Sequence, residues 1–167
     1  MNALCREIEA YRPVSTEYVI QTIFFGGGTP SFIEASFVEQ IMQTITSVFE
    51  VDKQAEITLE GNPDSLLKDK LSVYKRAGVN RLSIGLQSAN DALLRTLGRV
   101  HNYDQFVAAY SSARQVGFSN INIDIMSGLP GETSESYVRT LAKVVELQPE
   151  HISAYSLIVE EGTPLCE

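Results

Sequence analysis

The sequence is poor in the residues that most readily declare a chemistry. It has two cysteines, Cys5 and Cys166, near opposite ends and without CxxC spacing. That excludes a disulfide framework and a cysteine metal site, and leaves two lone thiols. Its two histidines, His101 and His151, have no spaced metal partner, and neither reads as catalytic. Lysine and arginine number 13 against 21 acidic residues, a formal charge of −8, which argues against a nucleic-acid surface with its clustered basic side chains. Lys68, Lys70, Lys75 and Arg76 do cluster, but at the spacing of a solvated helix face. No apolar run nears the roughly 20 residues of a membrane helix. The opening MNALCREIEAYRP carries charges where a signal peptide would be apolar. The expectation is a cytoplasmic protein without a transmembrane segment, with residues 1–167 in a single domain.

What the sequence does have is alternation. YVIQTIFF (18–25) reads as an apolar strand. Phe37, Val38, Ile41, Met42, Ile45, Val48 and Phe49 then recur at helical spacing, with Ser36 and Glu39 placed as a capping box. Strands follow at 56–60, 81–86, 120–126 and 151–159, separated by helices at 65–77, 103–116 and 134–147, with a short helix at 2–11 ahead of everything. Strands that read as near-continuous apolar runs, alternating with helices, indicate a parallel sheet covered by helices. AGVNRLSIGLQS (77–88) and VGFSNINIDIMS (116–127) align residue for residue, each with a Gly where a helix end needs the left-handed conformation.

A barrel and a doubly wound sheet share this local pattern, and the placement of polar residues separates them. They gather at every strand end: Gly26 to Thr29, Glu60 and Asn62, Gln87 and Ser88, Asp124 and Ser127, Ser156 and Glu160. A barrel mouth uses all its strand ends, whereas a doubly wound sheet uses one switch point. Five strands cannot close an eight-stranded cylinder, so the fold class is α/β, a partial TIM-type barrel of about five βα units.

Each polar residue has two readings. Three glycines cost roughly 0.5–1 kcal/mol apiece relative to Ala inside an element, so GGGTP is either a turn needing positive φ or bare backbone for a close approach. Glu60 is a loop-start carboxylate in water or a ligand group aimed into the mouth. Asp124, between Ile123 and Ile125, would be costly as an unpaired buried charge, which favours a polar cavity with partners. Gln87 could simply close backbone hydrogen bonds at a strand end. Arg99, in TLGRVHN, can fold over the mouth. SGLPGETSESY (127–137) looks like a phosphate loop but lacks the P-loop lysine. No Ser-His-Asp order or carboxylate pair makes a hydrolase. A conventional barrel for a phosphorylated metabolite stays open at this point.

Taken together, FFGGGTPS, ITLEGNPDSL, AGVNRLSIGLQS, LGRVH, NINIDIMSGLPGET and HISAYSLIVEEGTPL resemble the radical S-adenosylmethionine family, in the branch of oxygen-independent coproporphyrinogen III oxidase and the heme chaperones. The resemblance implies S-adenosylmethionine as cofactor, with Gly27, Gly28 and Thr29 along its methionine end. Glu60, Gln87, Arg99, Asp124 and Ser156 would meet its other polar groups. It also implies a four-iron four-sulfur cluster in the parent protein, held by a CxxxCxxC loop that these residues do not contain, so the expectation is a fragment of the barrel core, inactive by itself. EGNP, LGRVH and EEGTPL are more like the chaperone branch, and the Tyr-Ala-His-Leu-Pro ending of true oxidases is replaced by YSLIVEEGTPL. Heme or porphyrinogen, and a heme-acceptor protein, are the implied partners. The edge of strand 18–25 would be unpaired, so the chain is expected to self-associate there or to cover it with helix 2–11.

Overall fold

A computed structural model of the chain describes residues 1–162; Cys166, expected as a lone thiol, lies outside them. Five strands, β1 (Val19–Phe25), β2 (Glu50–Gly61), β3 (Arg81–Gln87), β4 (Ile121–Ser127) and β5 (His151–Ser156), form one sheet in the order β1-β2-β3-β4-β5. Every neighbouring pair is parallel. Sequential order in an all-parallel sheet requires a crossover after each strand. These are supplied by α2 (Ala35–Val48), α3 (Lys68–Arg76), α4 (Asp91–Thr96) with α5 (Tyr103–Val116), and α6 (Ser134–Glu146). A first helix, α1 (Asn2–Ala10), packs against α2. The result is a curled half-barrel, as the sequence pattern indicates.

The strands are not apolar throughout. They alternate, because successive side chains of a strand point to opposite faces. Ile57, Leu59, Leu82, Ile84, Leu86, Ile121, Ile123 and Ile125 face the helices and join Val38, Tyr74, Phe106 and Phe118 in the core. The residues between them are polar: Glu56, Thr58 and Glu60 on β2, Arg81 and Ser83 on β3, Asn122 and Asp124 on β4, His151 and Ser153 on β5. These bond to one another across the inner face, as in Arg81 Nη1 to Thr58 Oγ1 at 3.3 Å and Ser153 Oγ to Asn122 Oδ1 at 3.0 Å.

Several local expectations change. Ser36 and Glu39 form no capping box: α2 starts at Ala35 after Glu34, so Ser36 is already helical and cannot cap. The true box is Asn102 with Gln105 at the start of α5. β2 begins at Glu50, not 56; its first half is exposed and polar, and pairing with β1 is irregular between Ile20 and Thr22. Helix α4 escapes the periodicity because six residues span less than two turns. Gly78 and Gly117 do take the left-handed conformation after α3 and α5, with φ of 101° and 99°. β1 pairs only with β2 among the described residues, and its Val19 and Phe24 are exposed.

Candidate binding site at the strand ends

Gly26 to Gly28 turn the chain out of β1. A Cβ on Gly26 would lie 2.5 Å from the Phe24 ring and 3.2 Å from Glu60 Oε2, while Gly27 and Gly28 have φ of 85° and 65°. A side chain on the first glycine would require the exposed Phe24 ring and Glu60 to shift, and backbone conformation favours glycine at the next two. The freed Gly27 amide donates to Glu60 Oε2 at 3.2 Å, tying the glycine loop to the end of β2.

Behind the loop, Lys70 of α3 donates to the carbonyls of Ser31, Phe32 and Ile33 at 3.0, 3.1 and 2.9 Å. The Tyr74 hydroxyl, whose pKa burial and the nearby Glu34 push up to about 12, also donates to the Ser31 carbonyl, at 3.3 Å. Lys70 is thus removed from the solvated face expected of its cluster and anchors the chain that follows Thr29.

The strand ends enclose an open cleft of about 250 Å³ lined by Gly28, Thr29, Glu60, Gly61, Asn62, Ser83, Gly85, Gln87, Arg99, Asp124 and Tyr155. Six of the eight residues singled out from sequence meet here. Gly27 stands beside it through its Glu60 bond. Ser156 does not line the cleft; it is exposed, with its hydroxyl 3.2 Å from that of Ser127.

Asp124 has the partners its apolar flanks demand. Ser83 Oγ donates to Oδ2 at 3.0 Å and Asn122 Nδ2 to Oδ1 at 2.7 Å. Asn122 Oδ1 in turn accepts from Ser153 Oγ and from His151 Nδ1. Gln87 does not close backbone bonds. It follows a register shift between Gly85 and Gln87, holds a φ of 72°, and accepts the Tyr155 hydroxyl at 3.0 Å. Positive φ on a non-glycine residue is uncommon and gathers at functional sites. Burial, with the Asp124 charge second, raises the Tyr155 pKa, so the phenol stays a donor at neutral pH.

Arg99 donates to Asn62 Oδ1 at 3.0 Å, and Asn62 Nδ2 donates to Thr29 Oγ1 at 3.2 Å. Gly85 makes room for this junction: a Cβ there would lie 3.1 Å from Asn62 Oδ1 and 3.0 Å from Gln87 Nε2. Sequence reasoning placed Asn62 among the polar residues at the strand ends but gave it no ligand role, and passed over Gly61, Ser83, Gly85 and Tyr155. The signal that would have found the last three is strand parity, since Ser83, Gly85 and Tyr155 share the inner face with Glu60 and Asp124. The phosphate-like loop is occupied by its own side chain: Glu132 Oε2 accepts the amides of Gly128 and Leu129 at 2.8 and 3.4 Å.

One guanidinium, two carboxylates, two amides and exposed backbone suit a zwitterionic ligand that also carries hydroxyl groups. A larger cleft of about 320 Å³ lies among α4, α5 and α6, away from the strand ends; its Lys143 is spent over the Tyr103 ring at 4.2 Å. Among the described residues, no group of three His, Cys, Asp or Glu side chains is placed to hold a metal, and no helix is long and apolar enough to cross a membrane.

Comparison with known proteins agrees with this chemistry. Residues 6–144 match the family model of the Radical SAM superfamily. The chain is 39% identical over 164 residues to the heme chaperone HemW of Bacillus subtilis, covering 98% of this chain and 43% of that protein. It is 38% identical to the mitochondrial radical S-adenosyl methionine domain-containing protein 1 of Danio rerio, covering 97% and 36%. The solved structure of coproporphyrinogen III oxidase (HemN) from Escherichia coli, a radical SAM enzyme, superposes with a TM-score of 0.87 at 32% identity, covering 94% of this chain and 36% of that one. The chain thus spans less than half the length of these relatives.

Proposed function

This chain belongs to the radical SAM superfamily, and from that membership we propose that its polar mouth binds S-adenosylmethionine within a protein that holds heme and passes it to an acceptor protein. The cofactors of the family are S-adenosylmethionine and a four-iron four-sulfur cluster. The residues present fit the first. The observation that carries the reading is the convergence of Arg99, Glu60, Gln87 and Asp124 on one cleft beside a glycine backbone, with Gly27 and Gly28 in the left-handed conformation that leaves their surface bare. Arg99 offers a guanidinium to the ligand's carboxylate, and Glu60, next to Gly27, Gly28 and Thr29, faces its ammonium. Asp124 and Gln87 accept the ribose hydroxyls, and Ser156 stands at the rim. Bound S-adenosylmethionine supplies a sulfonium centre open to reductive cleavage. The residues here do not fit the cluster, because Cys5 and Cys166 cannot provide three thiolates, and no step is assigned to it in this chain.

The chaperone assignment is supported by the HemW relatives and by the motifs EGNP, LGRVH and EEGTPL. The alternative, oxidative decarboxylation of coproporphyrinogen, is favoured by the close superposition on the oxidase structure. Full-length protein decides between them: heme titration with transfer to an acceptor supports the first, and decarboxylated product from coproporphyrinogen supports the second. We place the protein in the cytoplasm and read residues 1–167 as one domain. Among the described residues β1 pairs only with β2 and α1 packs on α2, so the free edge of β1 is the expected surface of self-association. A clean monomer by sedimentation would argue against that.

A further inference from the structure

The guanidinium at the mouth carries an unusual partner. Three arginines are ion-paired among the described residues, Arg81 with Glu56, Arg114 with Glu150 and Arg139 with Glu135. Arg99 is not among them. Although it shares a cleft with Glu60 and Asp124, its polar contact is a neutral amide, Asn62 Oδ1 at 3.0 Å. A guanidinium only donates, which fixes the amide's orientation: the oxygen must face the arginine, and the nitrogen then donates to Thr29 Oγ1 at 3.2 Å. Asn62 is itself held from below. It opens the turn closed by the Ser65 amide on its carbonyl at 3.0 Å, with Ser65 Oγ on the same carbonyl at 2.9 Å. The absence of a side chain on Gly85 lets the amide and guanidinium meet.

We infer that Asn62 is a positioning residue that holds Arg99 away from the resident carboxylates and keeps its charge for the carboxylate of an incoming ligand, so that Asn62 sets the preference for carboxylated over decarboxylated adenosyl ligands. The inference rests on the reading of the cleft as an S-adenosylmethionine site. An aspartate at 62 would neutralise Arg99 in place, because an opposite charge at hydrogen-bond distance is the strongest partner a guanidinium finds. An alanine would release Arg99 toward Glu60 or Asp124. Both changes remove the same function by opposite means, one with a new charge and one without.

The test is a calorimetric titration of the full-length protein with S-adenosylmethionine and with its decarboxylated analogue, for the wild type, Asn62→Ala and Asn62→Asp. The wild type is expected to favour the carboxylated ligand by about ten- to a hundredfold, the worth of one charge-assisted hydrogen bond. Both variants are expected to lose most of that ratio while still binding the decarboxylated analogue. If only Asn62→Asp loses the preference, the effect is one of added negative charge and the positioning role is overturned. If both variants weaken the two ligands equally, Asn62 is merely structural and the inference again fails, with the site reading intact. A wild type that binds neither ligand overturns the site reading and this inference together. Melting curves for all three proteins identify any variant that fails to fold, and Asn62→Ser then replaces it.

Discussion

The two faces of one sheet obey different rules. On β4, Ile121, Ile123 and Ile125 point to the helices and are completely buried, chosen by volume and apolarity. Their neighbours Asn122 and Asp124 point inward and are chosen by hydrogen-bond partner, with Ser83, Ser153 and His151 closing the network. Stability and binding chemistry are thereby interleaved along the same seven residues. A one-residue slip in register would exchange the two sets and lose both, which is why Gly78 and Gly117 at the helix exits matter: each fixes where the next strand begins. The separation by parity also means that the two faces can be perturbed independently.

The largest effect is expected from the outer face. Ile123→Ala removes a fully buried side chain and should cost about 2–5 kcal/mol, read as a fall in melting temperature of roughly 5–15 °C for a chain of this size. Ligand affinity in the surviving folded protein should be unchanged. Moving one residue along, Asp124→Asn should invert the pattern. Size and hydrogen-bonding capacity are kept, so melting should shift little, whereas S-adenosylmethionine affinity should fall about ten- to a hundredfold through loss of a charge-assisted bond. Equal losses of stability in the two variants would dissolve the distinction between faces.

That distinction was only half legible in the sequence. The βα order, the parallel sheet and the half-barrel follow from periodicity and from Gly78 and Gly117 at the ends of α3 and α5. Glu60 and Asp124 stood out as carboxylates at strand ends, Asp124 because apolar neighbours make an unpartnered charge expensive. What escaped were residues whose role is created by pairing across strands. Ser83 is an ordinary serine until register sets it beside Asp124, and Tyr155 is an ordinary strand aromatic until the shift at Gly85 swings Gln87 beneath its hydroxyl. Apolar content alone makes the strands near-continuous runs, whereas the polar residues between the isoleucines of NINIDIM already alternate with them. Lys70 looked like surface charge because its three carbonyl acceptors lie about forty residues earlier in the chain, beyond the reach of local pattern.

An intermediate effect is expected from His101, which sits under the end of β3, 4% exposed, with Nε2 3.4 Å from the Leu86 carbonyl. Burial lowers its pKa from the ordinary 6.5; the Leu86 bond opposes this and the Arg99 charge adds to it. The unfolded chain therefore takes up a proton at His101 before the folded one does. Its contribution to stability is whole above pH 6.5 and is lost as pH falls through the depressed folded value. Melting temperature should decline between pH 7.5 and 5, and His101→Gln should flatten that decline. Glu150, lowered from 4.5 because bonds from Arg114 and the Ile121 amide outweigh its burial, loses its contribution only as pH falls below 4.5, beneath the pH 7.5 to 5 interval in which His101 is tested. An identical decline in His101→Gln would remove His101 as the cause.

The smallest effect tests parity at the rim. Ser156 follows Tyr155 directly on β5, and adjacent strand residues face opposite sides. Tyr155 lines the cleft and donates to Gln87, so the Ser156 side chain is directed away from it, and its hydroxyl meets that of Ser127, its register partner on β4. A pair of exposed hydroxyls contributes little, since each can bond water instead. Ser156→Ala should therefore change melting by no more than about 0.5 kcal/mol, the usual range for surface substitutions, and leave S-adenosylmethionine affinity within about twofold, under 0.5 kcal/mol. Tyr155→Phe, one residue earlier, should act more strongly because it frees the buried amide of Gln87. If Ser156→Ala instead weakens the ligand tenfold, contact with the ligand extends to the outer side of β5, and the division of labour between the two faces ends short of the rim.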